Sequence, residues 1–187
     1  MNKNSVFMVL AAMAAGALIV MVIQWRSETP VETVAGDNTQ TLFETDSTDE
    51  RTHLYFSDRE QRHLISEQRQ LGPSDNPVVF AENIVKALIK GPRDALVGTI
   101  PPGTRLRALF IDDRQTAYVD LSGAVTEDHP GGAQTELLTI YSIVNSLILN
   151  VDEIETVRLL IGGRETVTLA GHIDIQTPFS ANMLLIR

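Results

Sequence analysis

The chain has 187 residues, of which 43% are hydrophobic, 21% charged and 5% aromatic, and its formal net charge is −9. This length suits one domain of ordinary size with appendages. The acidic balance argues against a general nucleic-acid binder, because few basic side chains offset the repulsion of phosphate groups. The absence of cysteine excludes a disulfide framework, a zinc ribbon, a thiol nucleophile and a lipid-modified N-terminal cysteine.

Residues 1–26 are predicted to form a transmembrane signal anchor. Val6 to Ile23 is an uninterrupted apolar stretch of 18 residues, which as a helix with its flanks crosses a hydrocarbon core of about 30 Å. Lys3 precedes the stretch, and Trp25 follows it at a position typical of an interfacial anchor. The alternative is a cleaved signal peptide, but small-residue patterns such as Ala12-Met13-Ala14 lie inside the apolar stretch rather than after it.

Residues 27–50 are predicted to form a disordered, acidic linker rich in Ser and Thr. Seven of these residues are acidic, none is basic and eight are Ser or Thr. A segment of this composition cannot bury enough apolar surface to offset the entropy lost on ordering. A flexible chain of this length has a root-mean-square reach of about 25–30 Å. We therefore expect the linker to hold the following domain away from the membrane surface.

Residues 51–187 are predicted to form the single folded domain, with 13 Lys and Arg against 17 Asp and Glu. A first strand is expected over His53–Phe56, and a second short strand over His63–Gln68. Asn76-Pro77 then begins a helix, because asparagine caps and proline suits the first helical position. Gly91-Pro92 ends it. The apolar face of this helix comprises Phe80, Ala81, Ile84, Val85 and Leu88.

The middle of the domain predicts a hairpin followed by a second helix. Leu106, Ala108 and Phe110 are expected on the drier face of a strand, in alternation with Arg105, Arg107 and Leu109. The turn Asp112–Gln115 reverses the chain into a strand whose inner residues are Ala117, Val119 and Leu121. The second helix is expected from about Ala133 to Asn150. Its predicted buried stripe comprises Leu137, Leu138, Tyr141, Val144, Leu147 and Ile148.

The end of the domain predicts a second hairpin. Val157–Ile161 and Thr166–Leu169 are expected to pair across a tight primed turn at Gly162-Gly163. The helix-hairpin unit would then occur twice. We therefore expect an α+β domain of two layers, with two helices packed on one face of a mostly antiparallel sheet. Gln176–Arg187 carries apolar residues and is expected to dock on the domain.

Several motifs, in order along the domain, resemble the GerMN domain family, which is named for a bacterial sporulation and spore-germination protein. The resemblance extends from about Leu54 to Pro178. Its pieces are Leu54-Tyr55-Phe56, Ile89-Lys90-Gly91-Pro92, Ile100-Pro101-Pro102-Gly103-Thr104-Arg105-Leu106, Ala117-Tyr118-Val119-Asp120-Leu121-Ser122, Ile143-Val144-Asn145-Ser146-Leu147 and Gly171-His172-Ile173-Asp174. The resemblance implies an extracytoplasmic domain of the bacterial envelope with no established enzymatic activity. The chain departs from the family pattern in having one copy of the domain and a membrane helix instead of a lipidated cysteine.

This resemblance favours a non-enzymatic assembly or protein-interaction module, related by similarity to sporulation or germination. Its expected location is the bacterial inner membrane, crossed once with the N-terminus inside. Partners would be other envelope proteins or further copies of the chain, engaged through an exposed sheet face or edge, because unpaired strand edges can accept another strand. No nucleic-acid partner is expected. The alternative is a module that binds or hydrolyses cell-wall glycan or peptide.

The sequence predicts no catalytic, cofactor-binding or metal-binding residue. The four histidines, His53, His63, His129 and His172, show no spacing that brings metal ligands together. No serine elbow, phosphate-binding loop or dinucleotide glycine motif is present. His172 is expected to fix a loop, with Asp174 as its partner.

Two polar features leave alternatives open. Asn145 lies in the middle of the second helix, where asparagine is unfavourable. It is therefore expected either to bond to a neighbouring loop or to lie exposed at the edge of the stripe. Arg105 and Arg107 form a small cationic strip that would meet an acidic partner or a glycan, although a simple solvated face is the favoured interpretation.

Overall fold

The computed structural model describes residues 51–72 and 74–187. The predicted anchor at 1–26 and the predicted linker at 27–50 lie outside these residues. No helix in the described part of the chain is long and apolar enough to cross a membrane. The longest helix there has 16 residues.

Five strands and three α-helices make up the described residues, which confirms the predicted α+β class. They are β1 (Arg51–Ser57), β2 (Leu64–Gln70), α1 (Pro77–Lys90), β3 (Leu106–Ile111), β4 (Thr116–Leu121), α2 (Ala124–Glu127), α3 (Ala133–Ile148) and β5 (Thr156–Ile161), followed by a 3₁₀ turn at Met183–Leu185. Helix α1 begins and ends as predicted. The Asn76 side chain accepts a hydrogen bond from the Val78 N–H at 2.9 Å, and Gly91 ends the helix with a φ of 87°.

The strands form two sheets. β1 pairs with β2 in an antiparallel sheet, whereas β3 and β5 flank β4 in a three-stranded sheet, antiparallel on one side and parallel on the other. The predicted second hairpin was wrong. Gly162 and Gly163 do form a tight turn with positive φ, but residues 166–169 carry only an isolated bridge at Thr168. β5 pairs with β4 instead, because α3 supplies the long crossover that a parallel pair requires. The helix-hairpin unit therefore does not repeat.

Beyond Leu106, which packs against the core as predicted, strand β3 presents the opposite face from the one predicted. Leu109 is buried, whereas Ala108 and Phe110 are exposed. The pairing with β4 is irregular between Leu106 and Ala108, where a bulge inserts one extra residue. Such an insertion inverts the alternation of side chains along the rest of the strand. The bulge thus places an aromatic side chain in solvent.

Both long helices contact the three-stranded sheet, and α3 also contacts α1 and β1. As predicted, Ala117, Val119 and Leu121 are fully buried beneath the helices. The stripe predicted for α3 was too narrow, because elements on several sides enclose this helix, and three of its predicted members, Leu137, Tyr141 and Ile148, are only half-buried. Its buried residues are Glu136, Leu138, Thr139, Ile140, Ser142, Ile143, Val144, Asn145, Ser146 and Leu147.

Polar residues of α3 bond to the edge of β1 that faces away from β2. The Ser142 hydroxyl donates to the Tyr55 carbonyl at 2.6 Å, and the Tyr55 N–H donates to the Ser146 hydroxyl at 3.0 Å. At the end of the strand, Ser57 and Val97 exchange backbone hydrogen bonds of 3.0 and 2.9 Å. Side chains of a helix thus replace part of a neighbouring strand.

The C-terminal segment docks on the domain, as predicted for Gln176–Arg187. The Asn182 N–H donates to the Asn145 side-chain oxygen at 2.9 Å, and the Asn145 amide donates to the Asn182 carbonyl at 3.0 Å. The prediction that Asn145 bonds to a neighbouring loop is therefore confirmed. Phe179 exchanges two backbone hydrogen bonds with Val157 on the outer edge of β5.

Candidate interaction surface

The histidine near the end of the domain has a different partner from the predicted one. His172 Nδ1 lies 3.1 Å from a carboxylate oxygen of Glu136. Asp174 instead accepts a hydrogen bond from the Gln176 N–H at 2.8 Å. The prediction that His172 fixes a loop therefore stands, but the partner predicted for it was wrong because Glu136 comes from a helix distant in the sequence.

Glu136 is fully buried, and backbone N–H groups of one loop surround its carboxylate. The donors are Leu169 at 3.1 Å, Ala170 at 2.8 Å, His172 at 2.9 Å and Ile173 at 3.3 Å. Burial alone would raise the pKa of Glu136, but the N–H groups of Ala170, Ile173 and His172 outweigh it and hold the pKa below its ordinary value. The carboxylate thus ties this loop to α3. The sequence signal for this buried Glu136 was its position on the apolar side of the helix, three residues after Ala133 and four before Ile140.

His129 lies in a hydrogen-bonded loop rather than in a reactive cluster. Its Nδ1 accepts from the Gly131 N–H at 3.0 Å, and its Nε2 lies 3.1 Å from the Thr139 hydroxyl. Burial lowers the pKa of His129 below its ordinary value, and the nearby Glu136 opposes this shift only in part. Across residues 51–72 and 74–187, no group of three His, Asp or Glu side chains is arranged to hold a metal ion.

Several clefts show what the described surface offers to a small ligand. One of about 180 Å³ lies between α3 and the loop at 98–102, and Asp128 supplies its one carboxylate. Another of about 340 Å³ lies at the start of β1 between Arg51 and Phe80, and its lining contains no carboxylate. Neither of these two linings contains the pair of facing carboxylates that glycoside hydrolysis ordinarily uses. A third cleft, of about 190 Å³, lies beside the start of α1 and is lined by the exposed residues Asp75, Asp152 and Glu153.

The outer face of the three-stranded sheet lies on the side opposite the helices. Alternation along the strands places a mixed set of side chains there. This outer sheet face comprises Ala108, Phe110, Thr116, Tyr118, Asp120, Thr156, Arg158 and Leu160. Phe110 is 48% exposed. Its ring stacks on that of Tyr118, with centroids 4.4 Å apart and planes 7° from parallel.

Charged side chains surround the aromatic pair. Arg107 Nε lies 3.6 Å from a carboxylate oxygen of Asp120, whose other oxygen accepts from the Gly163 N–H at 2.7 Å. Arg158 pairs with Glu165 at 2.9 Å. The cationic strip predicted from Arg105 and Arg107 is therefore partly neutralised. An exposed aromatic centre with a charged rim is an arrangement found at protein–protein interfaces.

The outer edge of β3 adjoins this face. The Asp112 N–H donates to the Thr116 carbonyl at 3.1 Å, which fixes the alternation of hydrogen bonds in the hairpin. Leu109 and Ile111 consequently direct their backbone groups away from β4. No hydrogen-bond partner for these groups lies within the described residues. The predicted free sheet edge is thus present at β3, whereas helix side chains cover the corresponding edge of β1.

Comparison with solved structures shows the same fold in three bacterial chains. A candidate lipoprotein from Clostridium perfringens is 24% identical, with 70% of this chain and 86% of that chain covered and a TM-score of 0.53. The tandem GerMN domains of the sporulation protein GerM from Bacillus subtilis are 19% identical, with 71% and 45% covered and a TM-score of 0.54. The first GerMN domain of GerM alone is 20% identical, with 71% and 95% covered and a TM-score of 0.55.

The sequence was also compared with protein families and with curated proteins. No curated protein matches it. The family described as Germane, sporulation and spore germination, matches residues 53–167, which is more than half of the chain and includes all five strands except the first two residues of β1. The resemblance noted in the motifs is therefore confirmed, and this protein belongs to the Germane family of sporulation and spore germination domains.

Proposed function

We propose that this chain is a membrane-tethered interaction module of the bacterial envelope, without catalytic activity of its own, that works in sporulation or germination. The observation that carries this proposal is the outer sheet face, where Phe110 is stacked on Tyr118 and nearly half exposed. An aromatic side chain held by a neighbour loses little further conformational freedom on binding, which favours its use as an anchor in an interface.

The proposed position on the far side of the inner membrane comes from the sequence before the domain. The apolar stretch Val6–Ile23 would cross the bilayer, and the acidic linker at 27–50 would keep the domain clear of its surface. The structural relatives include a candidate lipoprotein and a sporulation protein. A tethered domain with an apolar, charge-rimmed face suits recognition of another envelope protein.

A photoreactive amino acid at position 110 tests the interaction. The full-length chain that carries this amino acid is expressed in the bacterium that naturally makes the protein, and intact membranes are irradiated. We expect discrete covalent adducts with envelope proteins. The matched control places the same amino acid at Val167, which is 61% exposed but does not belong to the outer sheet face. Equal adducts from both positions, or adducts from neither, would overturn the proposed surface.

Two further measurements test location and the competing activity. A reporter fused after Arg187 should be active only outside the cytoplasm, and carbonate-washed membranes should retain the full-length chain. Cytoplasmic activity of the reporter would contradict the tether. When the chain is mixed with isolated peptidoglycan and the peptidoglycan is sedimented, the chain should stay in the supernatant and should not hydrolyse the peptidoglycan. Binding or hydrolysis would favour the cell-wall alternative over the interaction proposal.

A further inference from the structure

We propose that two copies of this chain pair through the outer edges of their β3 strands, antiparallel and centred on Phe110, which makes a second copy the occupant of this edge. The inference rests on the proposed function, because it names one partner of the same surface. The three-stranded sheet would then continue across the two-fold axis as a six-stranded sheet.

The outer edge of β3 is open, whereas those of β1, β2 and β5 are bonded to other parts of the chain over at least part of their length. Side chains of α3 and the backbone of Val97 bond to the outer edge of β1. Phe179 bonds to the outer edge of β5, and the Arg187 N–H donates to the Leu64 carbonyl at one end of β2. The domain therefore protects much of its exposed backbone. An edge that is left open in such a domain is available for pairing with another strand.

The outward backbone groups of β3 also impose a register on the pairing. Leu109 and Ile111 direct both N–H and C=O outward, so the four groups of one copy are satisfied when Leu109 faces Ile111 of the other copy. This register places Phe110 directly opposite Phe110 of the other copy. Both rings then lie on the same outer face, at the close spacing of a pair without mutual hydrogen bonds, where aromatic pairs are favourable.

The distribution of charge along β3 favours antiparallel pairing. The strand is preceded by Arg105 and contains Arg107, whereas Asp112 and Asp113 follow it directly. Antiparallel pairing sets the basic end of one strand, with Arg107 at its bulge, against the acidic turn of the other. Parallel pairing would set like charges side by side, which is unfavourable. Charge and hydrogen-bond register therefore favour the same arrangement.

The absence of cysteine from the chain makes a single introduced cysteine a direct test. Phe110→Cys in the full-length chain should give a disulfide-linked dimer when isolated membranes are treated with a mild oxidant, because directly opposed residues of this kind have Cα atoms about 4.5 Å apart and a disulfide spans about 4.4–6.8 Å. Ala108→Cys is the matched control. It lies exposed on the same strand and face, but the two copies of residue 108 would be about 13 Å apart along the strands.

The outcomes separate this inference from the broader proposal. Dimer from Phe110→Cys, several-fold more than from Ala108→Cys, supports pairing in this register. Equal yields, or no dimer from either, overturn it. If the photoreactive group at position 110 still captures another envelope protein while Phe110→Cys gives no dimer, the self-pairing fails and the interaction module stands. If neither experiment gives a product, both proposals fail.

A second variant tests the pairing without a cross-link. Phe110→Lys sets two positive charges opposite each other and removes the aromatic pair, but it changes an exposed residue and should leave the fold intact. We expect the self-association of the purified full-length chain, measured by light scattering, to be lost in this variant. A wild-type chain that is monomeric at every concentration, or a variant that associates as well as the wild type, would overturn the inference.

Discussion

The side-chain amide of Asn150 makes with His53 the two hydrogen bonds that a neighbouring strand would make. Its oxygen accepts from the His53 N–H at 2.8 Å, and its nitrogen donates to the His53 carbonyl at 2.8 Å. Ser146 and Ser142, four and eight residues earlier, bond in the same way to the N–H and the carbonyl of Tyr55. Ser142 and Ser146 lie four residues apart on α3, and Asn150 lies two residues beyond its end. Four helical residues advance about 6 Å and two strand residues about 7 Å, so this spacing keeps the polar side chains beside alternate residues of β1.

Replacement of Asn150 by alanine should therefore destabilise the domain by about 1–2 kcal/mol, because two part-buried backbone groups of His53 lose their partners. Urea unfolding followed by circular dichroism measures the change. Asn83→Ala in α1 is the control, because Asn83 is half-buried without a side-chain bond of this kind, and should change stability by less than about 0.5 kcal/mol. An equal effect of the two variants would show that Asn150 does not act as a strand substitute.

The buried carboxylate of Glu136 should make stability depend on acid. Its pKa is lowered in the folded state, so its contribution is fully present above the unfolded pKa of about 4.5 and is lost as the pH falls through the folded pKa. Glu136→Gln should lower the free energy of unfolding at pH 7 by about 3 kcal/mol, because the amide offers one acceptor oxygen to the N–H groups of the loop.

The pH profile distinguishes this charge effect from a loss of packing. The wild-type chain should lose stability as the pH falls below about 5, because the Glu136 carboxylate becomes protonated. Glu136→Gln should lose less stability over the same pH range. Glu153→Gln, at an exposed position, is the control and should follow the wild type. Parallel profiles for the wild type and Glu136→Gln would contradict the assigned role.

A second buried charge, Arg69, connects β2 to the end of α1. Its guanidinium donates to the Glu67 carboxylate at 2.6 Å and to the Gly91 carbonyl at 2.7 Å. The second oxygen of Glu67 accepts from the backbone N–H groups of Arg93 and Asp94. The pair therefore holds the chain just after the helix.

Arg69→Met should cost about 3–5 kcal/mol, because it leaves a buried carboxylate without its cation. Arg69→Lys should cost less than Arg69→Met, since it keeps the charge but loses the planar donors that reach Glu67 and Gly91 together. Chemical unfolding of both variants, with Arg62→Met at an exposed position as the control, tests this order. If Arg69→Met loses no more unfolding free energy than the control, this role of Arg69 is contradicted.

The sequence predicted those parts of the fold that local signals encode. Asn76 and Gly91 set the ends of α1 through their own capping chemistry, and the turn after Asp112 reversed the chain where expected. These signals act over a few residues and do not depend on the rest of the molecule. A bond from Asn145 to a neighbouring loop was one of two alternatives for this residue, and the sequence did not indicate that Asn182 would be the partner.

The missed features depend on contacts between distant residues. The bulge before Ala108 leaves no clear sequence pattern, yet it decides that Phe110 is exposed and so creates the candidate surface. Strand β5 contains nothing that distinguishes a hairpin from a parallel partner of β4. Glu136 is buried only because a loop more than thirty residues later supplies its N–H donors. Tertiary partners, not propensities, decided these cases.

The hairpin that positions β3 contains a residue in an unfavourable conformation. Gln115 has a φ of 58°, and the Asp112 carbonyl accepts from its N–H at 3.0 Å. This is the third position of a three-residue hairpin loop, where glycine is preferred. Its carbonyl also accepts from the Glu155 N–H at 2.8 Å, which links the turn to the start of β5. The backbone shape at this position is therefore fixed from two sides.

Gln115→Gly should stabilise the domain by about 0.5–1 kcal/mol, because the relief of left-handed strain exceeds the entropy that glycine adds to the unfolded chain. Thermal and urea unfolding of the purified chain measure the gain. Arg114→Gly, one residue earlier and at negative φ, should destabilise by a similar amount. Opposite signs for two adjacent glycine substitutions would reflect the backbone alone, whereas a loss of stability in both would show that the Gln115 side chain, not its φ, matters in this turn.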